Sequence, residues 1–193
     1  MVAVTPGFEL VVHHRYGSGS CADLSGYAND GHATAGTAGA EGMPFDGRST
    51  RVVVFPALSL TDLGGIRARA RVQVDELDDR RTIMEGYLSF SFSVEPDGAL
   101  SGSVYTGLEW HLIRTGPGVV PRHRWIDVGF VYDGRDSASL SLDGRVVASR
   151  HADFGRMGGV EWPYGLNIGA WPDEAARVFS GRMAEVWLWR LSR

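Results

Sequence analysis

The sequence predicts an all-β protein built as a two-sheet antiparallel jelly-roll sandwich. Apolar and polar side chains alternate with period two along most of the chain, turn signals interrupt the alternation at short intervals, and helical periodicity is almost absent. About a dozen short strands follow from this pattern, enough for two sheets that bury one core between their inner faces.

The first strand is expected over Phe8–Tyr16. A stretch rich in glycine, serine, alanine and threonine follows from Gly17 to Gly47. It is too long for an ordinary connection, and reads as an ordered functional loop or a partly mobile one. A short strand is expected over Arg51–Phe55. From Gly65 to Val74, Ile66, Ala68, Ala70, Val72 and Val74 interleave with Arg67, Arg69, Arg71 and Gln73, giving one dry and one wet face. After a candidate at Arg81–Tyr87, Leu88, Phe90, Phe92 and Val94 alternate with serines. Pro96, Asp97 and Gly98 then turn the chain into Leu100–Val104. Trp125–Tyr132 buries Ile126, Val128 and Phe130 and ends at Asp133 and Gly134. Leu140 and Leu142 again alternate with serines before Asp143 and Gly144, a pair suited to a two-residue hairpin because both positions need positive φ. Strands at Gly165–Ala170 and Arg182–Arg190 complete the set, with room for one helical turn at Asp173–Arg177.

Composition narrows the function. The 193 residues carry 19 basic and 23 acidic side chains, a net charge of −4, so no field draws a polyanion and nucleic acid is not an expected partner. Every basic residue is arginine, which excludes a lysine Schiff base and a phosphate-loop lysine. The single cysteine, Cys21, excludes an internal disulfide and a zinc site of several cysteines. There is no run of about 18 apolar residues, so no membrane span is expected. Met1 to Leu10 does not read as a secretory signal, since no basic stretch precedes an apolar one. A hydrophobic content of 44% fills a core, and the length fits a single domain over 1–193 with no repeat or linker.

Several short motifs then fall in a familiar order. Asp23, Ser25 and Gly26, followed by Asn29, Asp30 and Gly31, resemble the N-terminal loop of laminin-G-like jelly-roll domains, members of the concanavalin A-like lectin/glucanase superfamily. Phe45, Asp46 and Gly47 match its next motif. Trp125 with Val131 to Gly134 resembles its central strand and turn, and Leu142 to Gly144 its following hairpin. Asn167 to Gly169, then Phe179, Gly181, Glu185 and Val186, resemble its closing strands. The resemblance implies the sandwich that the alternation already predicts, and a mostly extracellular setting. It leaves function open, because the superfamily contains lectins, protein-binding modules and glucanases.

Glucanases of this superfamily carry on one strand a glutamate, an aspartate two residues on and a glutamate three beyond. The nearest approach here is Glu76, Leu77, Asp78, Asp79, Arg80, Arg81, where arginine replaces the second glutamate; the segment reads as a charged turn. The resemblance also implies a structural calcium ligated by an aspartate on the closing strand. Ala184 stands at that position, so no cofactor is expected, with a structural calcium that takes Asp23 or Asp30 as its donor instead kept as the alternative. His13 and His14 are strand neighbours whose rings point opposite ways, so they do not chelate one ion.

What remains is recognition. Six tryptophans and six tyrosines are generous for this length. Trp187 and Trp189 share one side of the last strand and are expected in the core or packed on a sheet, and Trp110, in phase with Leu108 and Leu112, is expected in the core. Trp162 and Trp171 lie beside prolines in loops, where a ring either stacks on a sugar or caps the open end of the sandwich against water. If the chain continues as a meander, Glu85, Tyr87, Tyr105, Glu109, His111 and Asp127 share one polar sheet face. The arginines Arg67, Arg69 and Arg71 are expected as a solvated row that resists edge pairing. The expected function is therefore noncatalytic carbohydrate binding through that face and through Trp162 and Trp171. A protein-binding adhesion or assembly module is the alternative, and a glycoside hydrolase the third reading.

Overall fold

The computed structural model describes residues 7–160, 164–172 and 176–191. In chain order its strands are β1 (Glu9–Arg15), β2 (Gly31–Ala33), β3 (Met43–Asp46), β4 (Val52–Val54), β5 (Gly65–Val74), β6 (Arg81–Gly86) and β7 (Phe90–Val94). The second half adds β8 (Leu100–Tyr105), β9 (Trp110–Arg114), β10 (Trp125–Tyr132), β11 (Ser137–Leu142), β12 (Arg145–His151), β13 (Leu166–Ile168) and β14 (Ser180–Leu191). One seven-stranded sheet runs β1-β14-β5-β10-β11-β12 with β3 also paired to β14; the other runs β2-β4-β13-β6-β7-β8-β9. All of the pairings are antiparallel. A four-residue helix, α1 (Leu58–Thr61), has no signal in the sequence.

The inner faces meet as the alternation predicts. Phe90, Phe92, Val128 and Leu140 are fully buried in one cluster. Each such side chain contributes roughly 1.5–3 kcal/mol by leaving water. Phe92 of one sheet approaches Phe130 of the other, with ring centroids 5.9 Å apart. Gly102, in register with Phe92, makes room for that ring: a Cβ there would lie 2.6 Å from a Phe130 ring carbon.

The turns form for local reasons. Asp143 and Gly144 both take positive φ, +47° and +79°, as the hairpin between β11 and β12 requires. The Asp133 carboxylate accepts the backbone N–H groups of Arg135, Asp136 and Ser137. Asp46 accepts those of Arg48, Ser49 and Thr50, which holds its carboxyl well below the usual range despite an opposing desolvation cost. The long segment after β1 is ordered around Asp23, which accepts from the backbone N–H of His13 at 2.8 Å and of Ser25 and Asn29 at 3.0 Å.

The meander expectation fails after β9. The chain does not turn back beside β9; it crosses to the other sheet, where β10 pairs β5. The crossing is fastened to the end of β5 by the His123 N–H donating to the Val74 carbonyl at 2.7 Å. Asp127 therefore belongs to the opposite outer face from Glu85 and Tyr105. Nor is the arginine row near a sheet edge, since β5 lies between β14 and β10.

Candidate functional site

Apart from Tyr105 at the end of β8, the outward residues of β7 and β8 are serines, and these small polar side chains form a low floor on one outer face. Ser91 stands opposite Ser103, which stands opposite Leu112 on β9. Farther along, the Ser93 and Ser101 hydroxyls bond to each other at 2.9 Å. Ser101 donates to Glu95 at 2.6 Å, and Glu95 also accepts from Arg80 at 3.1 Å. Above this floor lies a cleft of about 240 Å³ lined by Arg80, Ser91, Ser103, Trp110, Leu112 and Trp171.

Its two tryptophans come from opposite flanks. Trp110 is opposite Tyr105, and the phase that places Leu112 over Ser103 turns Trp110 outward too; it is 38% exposed. The core expected for Trp110, Leu108 and Leu112 is thus corrected: Ile113 takes the inward place, and Leu108 is 93% exposed. The Trp110 ring leans on Tyr105 with centroids 5.3 Å apart, and Tyr105 donates its hydroxyl to the Gly107 carbonyl. Trp171 comes from the loop after β13. Arg177 lies over its ring at 4.7 Å, and Arg51 donates to the neighbouring Pro172 carbonyl at 3.1 Å.

The other sequence-predicted residues are scattered. Glu85 lies on the same outer face, opposite Ser91, but fully buried, with neither carboxyl oxygen hydrogen-bonded among the described residues. Burial pushes its carboxyl well above the ordinary range, against the pull of Ser91, Arg177 and Arg80. Tyr87 packs against Tyr164 with centroids 4.3 Å apart. Glu109 is exposed in the turn before β9. His111 takes the inward phase, edge-on to Phe154 at 5.3 Å, and so leaves the face it was expected to share with Tyr105. Trp162 lies outside the described residues, as does Asp173 at the start of the expected helical turn. Ser91, Ser103, Arg80, Leu112 and Trp110 had no site signal in the sequence; only the register between strands brings them together.

The opposite outer face is covered over much of its area by its own side chains, and a cleft of about 590 Å³ lined by Arg71, Gln73, Trp125, Arg182 and Ala184 opens at one end of it. Trp187 and Trp189 pack on this face of the sheet, one of the two places expected for them, with Arg69 over Trp187 at 4.9 Å and Arg67 over Trp189 at 5.2 Å. His13 stacks on Trp187 at 5.4 Å and meets Glu185 at 2.6 Å. Asp127 accepts from Arg69 at 2.9 Å and from Arg71 at 3.1 Å.

Of the donors considered for calcium, Asp23 has both carboxylate oxygens hydrogen-bonded within the loop, and Asp30 is engaged through one. Besides three N–H groups, Asp23 accepts the Ser25 hydroxyl, and Asp30 accepts the Asp23 N–H at 2.7 Å. Glu185, beside Ala184, is taken by His13 and Arg15. No group of three or more histidine, cysteine or acidic side chains is arranged to hold a metal among the described residues.

The sequence profile of the concanavalin A-like lectin/glucanases superfamily matches residues 45–193, and the chain belongs to that superfamily. Among solved structures it is similar to domain 4 of AbnA, a GH43 extracellular arabinanase from Geobacillus stearothermophilus, in complex with arabinotriose. That match has a TM-score of 0.71 at 16% identity and covers 96% of this chain and 94% of that one. The CBM40 domain of the Ruminococcus gnavus IT-sialidase, bound to α2,3-sialyllactose, matches with a TM-score of 0.57 at 13% identity, over 69% of this chain and 79% of that one. The binding domain of Paraclostridial Mosquitocidal Protein 1 matches with a TM-score of 0.64 at 13% identity, over 95% and 48%. At these identities the likeness is one of fold. No curated protein matches the sequence.

Proposed function

We propose that this chain is a noncatalytic carbohydrate-binding module whose glycan lies across the serine strands, between Trp110 and Trp171. The observation that carries this reading is the cleft itself: two indoles from separate parts of the chain flank a floor of hydroxyl groups. A sugar ring has apolar faces and a hydroxyl rim, and this arrangement offers a partner to each. The fold relatives held with arabinotriose and with sialyllactose support the same reading.

The carboxyl positions favour binding over hydrolysis. A glycosidase pair stands about 5–10 Å apart across the scissile bond. Glu85 and Glu95 share the outer face, but Glu95 is four residues along β7 from Ser91, the partner of Glu85. Strand geometry makes that separation roughly 14 Å. The module also works without calcium in this reading, because Asp23 and Asp30 are occupied by loop N–H groups.

A second reading, protein adhesion, draws on the apolar margin where β9 and β12 are the edge strands of their sheets. Leu108 and Val146 there are 93% and 66% exposed.

A glycan array probed with the full chain tests the first reading. Trp110→Ala and Trp171→Ala are each expected to weaken the hits about thirtyfold, or about 2 kcal/mol, with the fold retained. Hits unaffected by both substitutions would take the site out of this cleft. An array without hits, together with a co-purifying protein, would favour adhesion.

A further inference from the structure

Among the described residues that line the sugar cleft, Arg80 is the one that carries a charge. It comes from the turn before β6, and a chain of polar contacts ends on it. The Ser93 and Ser101 hydroxyls share a hydrogen bond at 2.9 Å, Ser101 donates to Glu95 at 2.6 Å, and Arg80 Nε donates to Glu95 at 3.1 Å. Ser93, Ser101 and Glu95 are all buried, so the guanidinium is anchored through Nε to groups that are themselves held. A guanidinium has five N–H donors in a planar fork, and Nε supplies one of them. The two Nη groups of Arg80 carry no hydrogen bond among the described residues. A donor edge that is fixed in place yet unused at the wall of a cleft is free to meet a ligand.

A second cation stands near the first. Arg177 lies over the Trp171 ring at 4.7 Å, and its backbone carbonyl accepts the Thr82 N–H at 2.9 Å. Two carboxyl groups oppose this pair. Glu95 is buried and faces Arg80 and Ser101, and Glu85 is fully buried, where desolvation favours the uncharged acid. Glu109, beside Trp110 in the chain, is not among the lining residues and lies 3.9 Å from the His111 ring nitrogen. The lining thus presents positive charge, and no negative charge, to what enters.

We infer that the sugar held in this cleft is an acidic one, and that its carboxylate docks on the free Nη edge of Arg80. This rests on the glycan reading above and adds the substrate class to it. A planar carboxylate matches two parallel N–H donors and has both oxygens bonded at once, with charge on each side of the contact. Trp110 and Trp171 take the apolar face of the ring, and Ser91 and Ser103 its hydroxyls. The chemistry recognised is a sugar ring bearing a carboxylate, as in a uronic acid or a sialic acid. A neutral sugar finds the same rings and serines but leaves the Nη edge to water. Specificity then lies in Arg80, while the two tryptophans supply affinity for any sugar.

The test sets matched ligands against the full chain on one array. Oligosaccharides ending in glucuronic acid are compared with their methyl esters and glucose counterparts, and sialyllactose with its methyl ester and with lactose. The free acid is expected to bind about tenfold more tightly than its ester. That is the lower end for hydrogen bonds to a charged group, because the Arg80 side chain is 36% exposed. The series with the larger ratio tells uronic from sialic acids. Arg80→Gln should bring the acid-to-ester ratio to within about threefold of one. Arg80→Lys should restore only part of it, since an ammonium keeps the charge without the planar fork. Arg71→Gln alters the cleft on the opposite face and should leave the ratio as it was. Equal binding of acid and ester by the unaltered chain would overturn the inference, with the glycan reading left in place and no variant needed. So would a preference that survives Arg80→Gln or disappears in Arg71→Gln. An array without hits defeats the glycan reading, and this inference with it.

Discussion

The two outer faces of this sandwich share one pleated geometry and use their polar groups in opposite ways. On the β5–β14 face, Arg67 and Arg69 lie over tryptophans and Asp127 takes Arg69 and Arg71. Long side chains there cover the rings and satisfy the charges within the sheet. On the β7–β8 face, short serines leave two tryptophans as walls, and Glu85 has no hydrogen bond among the described residues although Ser93, Ser101, Glu95 and Arg80 bond one another. A face that pairs its own groups is suited to stability. A face that leaves groups unpaired gives up stability for contact with something else.

The sharpest way to break this contrast is to exchange stability for binding on the wrong face. Trp187→Ala removes a ring packed between His13 and Arg69. It is expected to cost about 2 kcal/mol, less than a fully buried tryptophan, and to leave glycan binding unchanged. Chemical denaturation and array binding on the same variant check this; a loss of binding equal to that of Trp171→Ala would erase the division between the faces. Asp127→Asn is a milder probe. It strips the shared carboxylate from Arg69 and Arg71, both partly exposed, so the expected cost is below about 1 kcal/mol and fades with added salt. A cost of several kcal/mol would mean that this ladder is far less solvated than its exposure indicates. The smallest expected effect is that of a chelator: EDTA should leave the melting temperature where it was, because the loop carboxylates are bonded to N–H groups. A fall on adding EDTA would place a cation in the N-terminal loop after all.

Much of the fold was legible because strand alternation is a local property. Gly65–Val74 reads directly as a strand with an arginine face, and it is β5. The positive φ required at Asp143 and Gly144 follows from the turn alone. The site was less legible. Tyr105 and Trp171 were singled out and do stand at or beside the cleft. The apolar neighbours of Trp110 point to an inward phase, and only pairing with Tyr105 shows that its phase is outward. Asp127 was grouped with Glu85 by assuming that consecutive strands pair, an assumption that the crossing before β10 breaks.

By itself the sequence determined most of the strands, the two faces of those that alternate cleanly and the residues that turn them, because these depend on neighbours one to four positions away; β2 and β3, inside the stretch read as a loop, carry no such signal. Tertiary structure alone decided which strand lies beside which. That choice set the serines between two tryptophans and buried Glu85 opposite Ser91. Strand pairing is governed by the shape of the shared core and by long connections, and the period of a single strand carries no record of its partner.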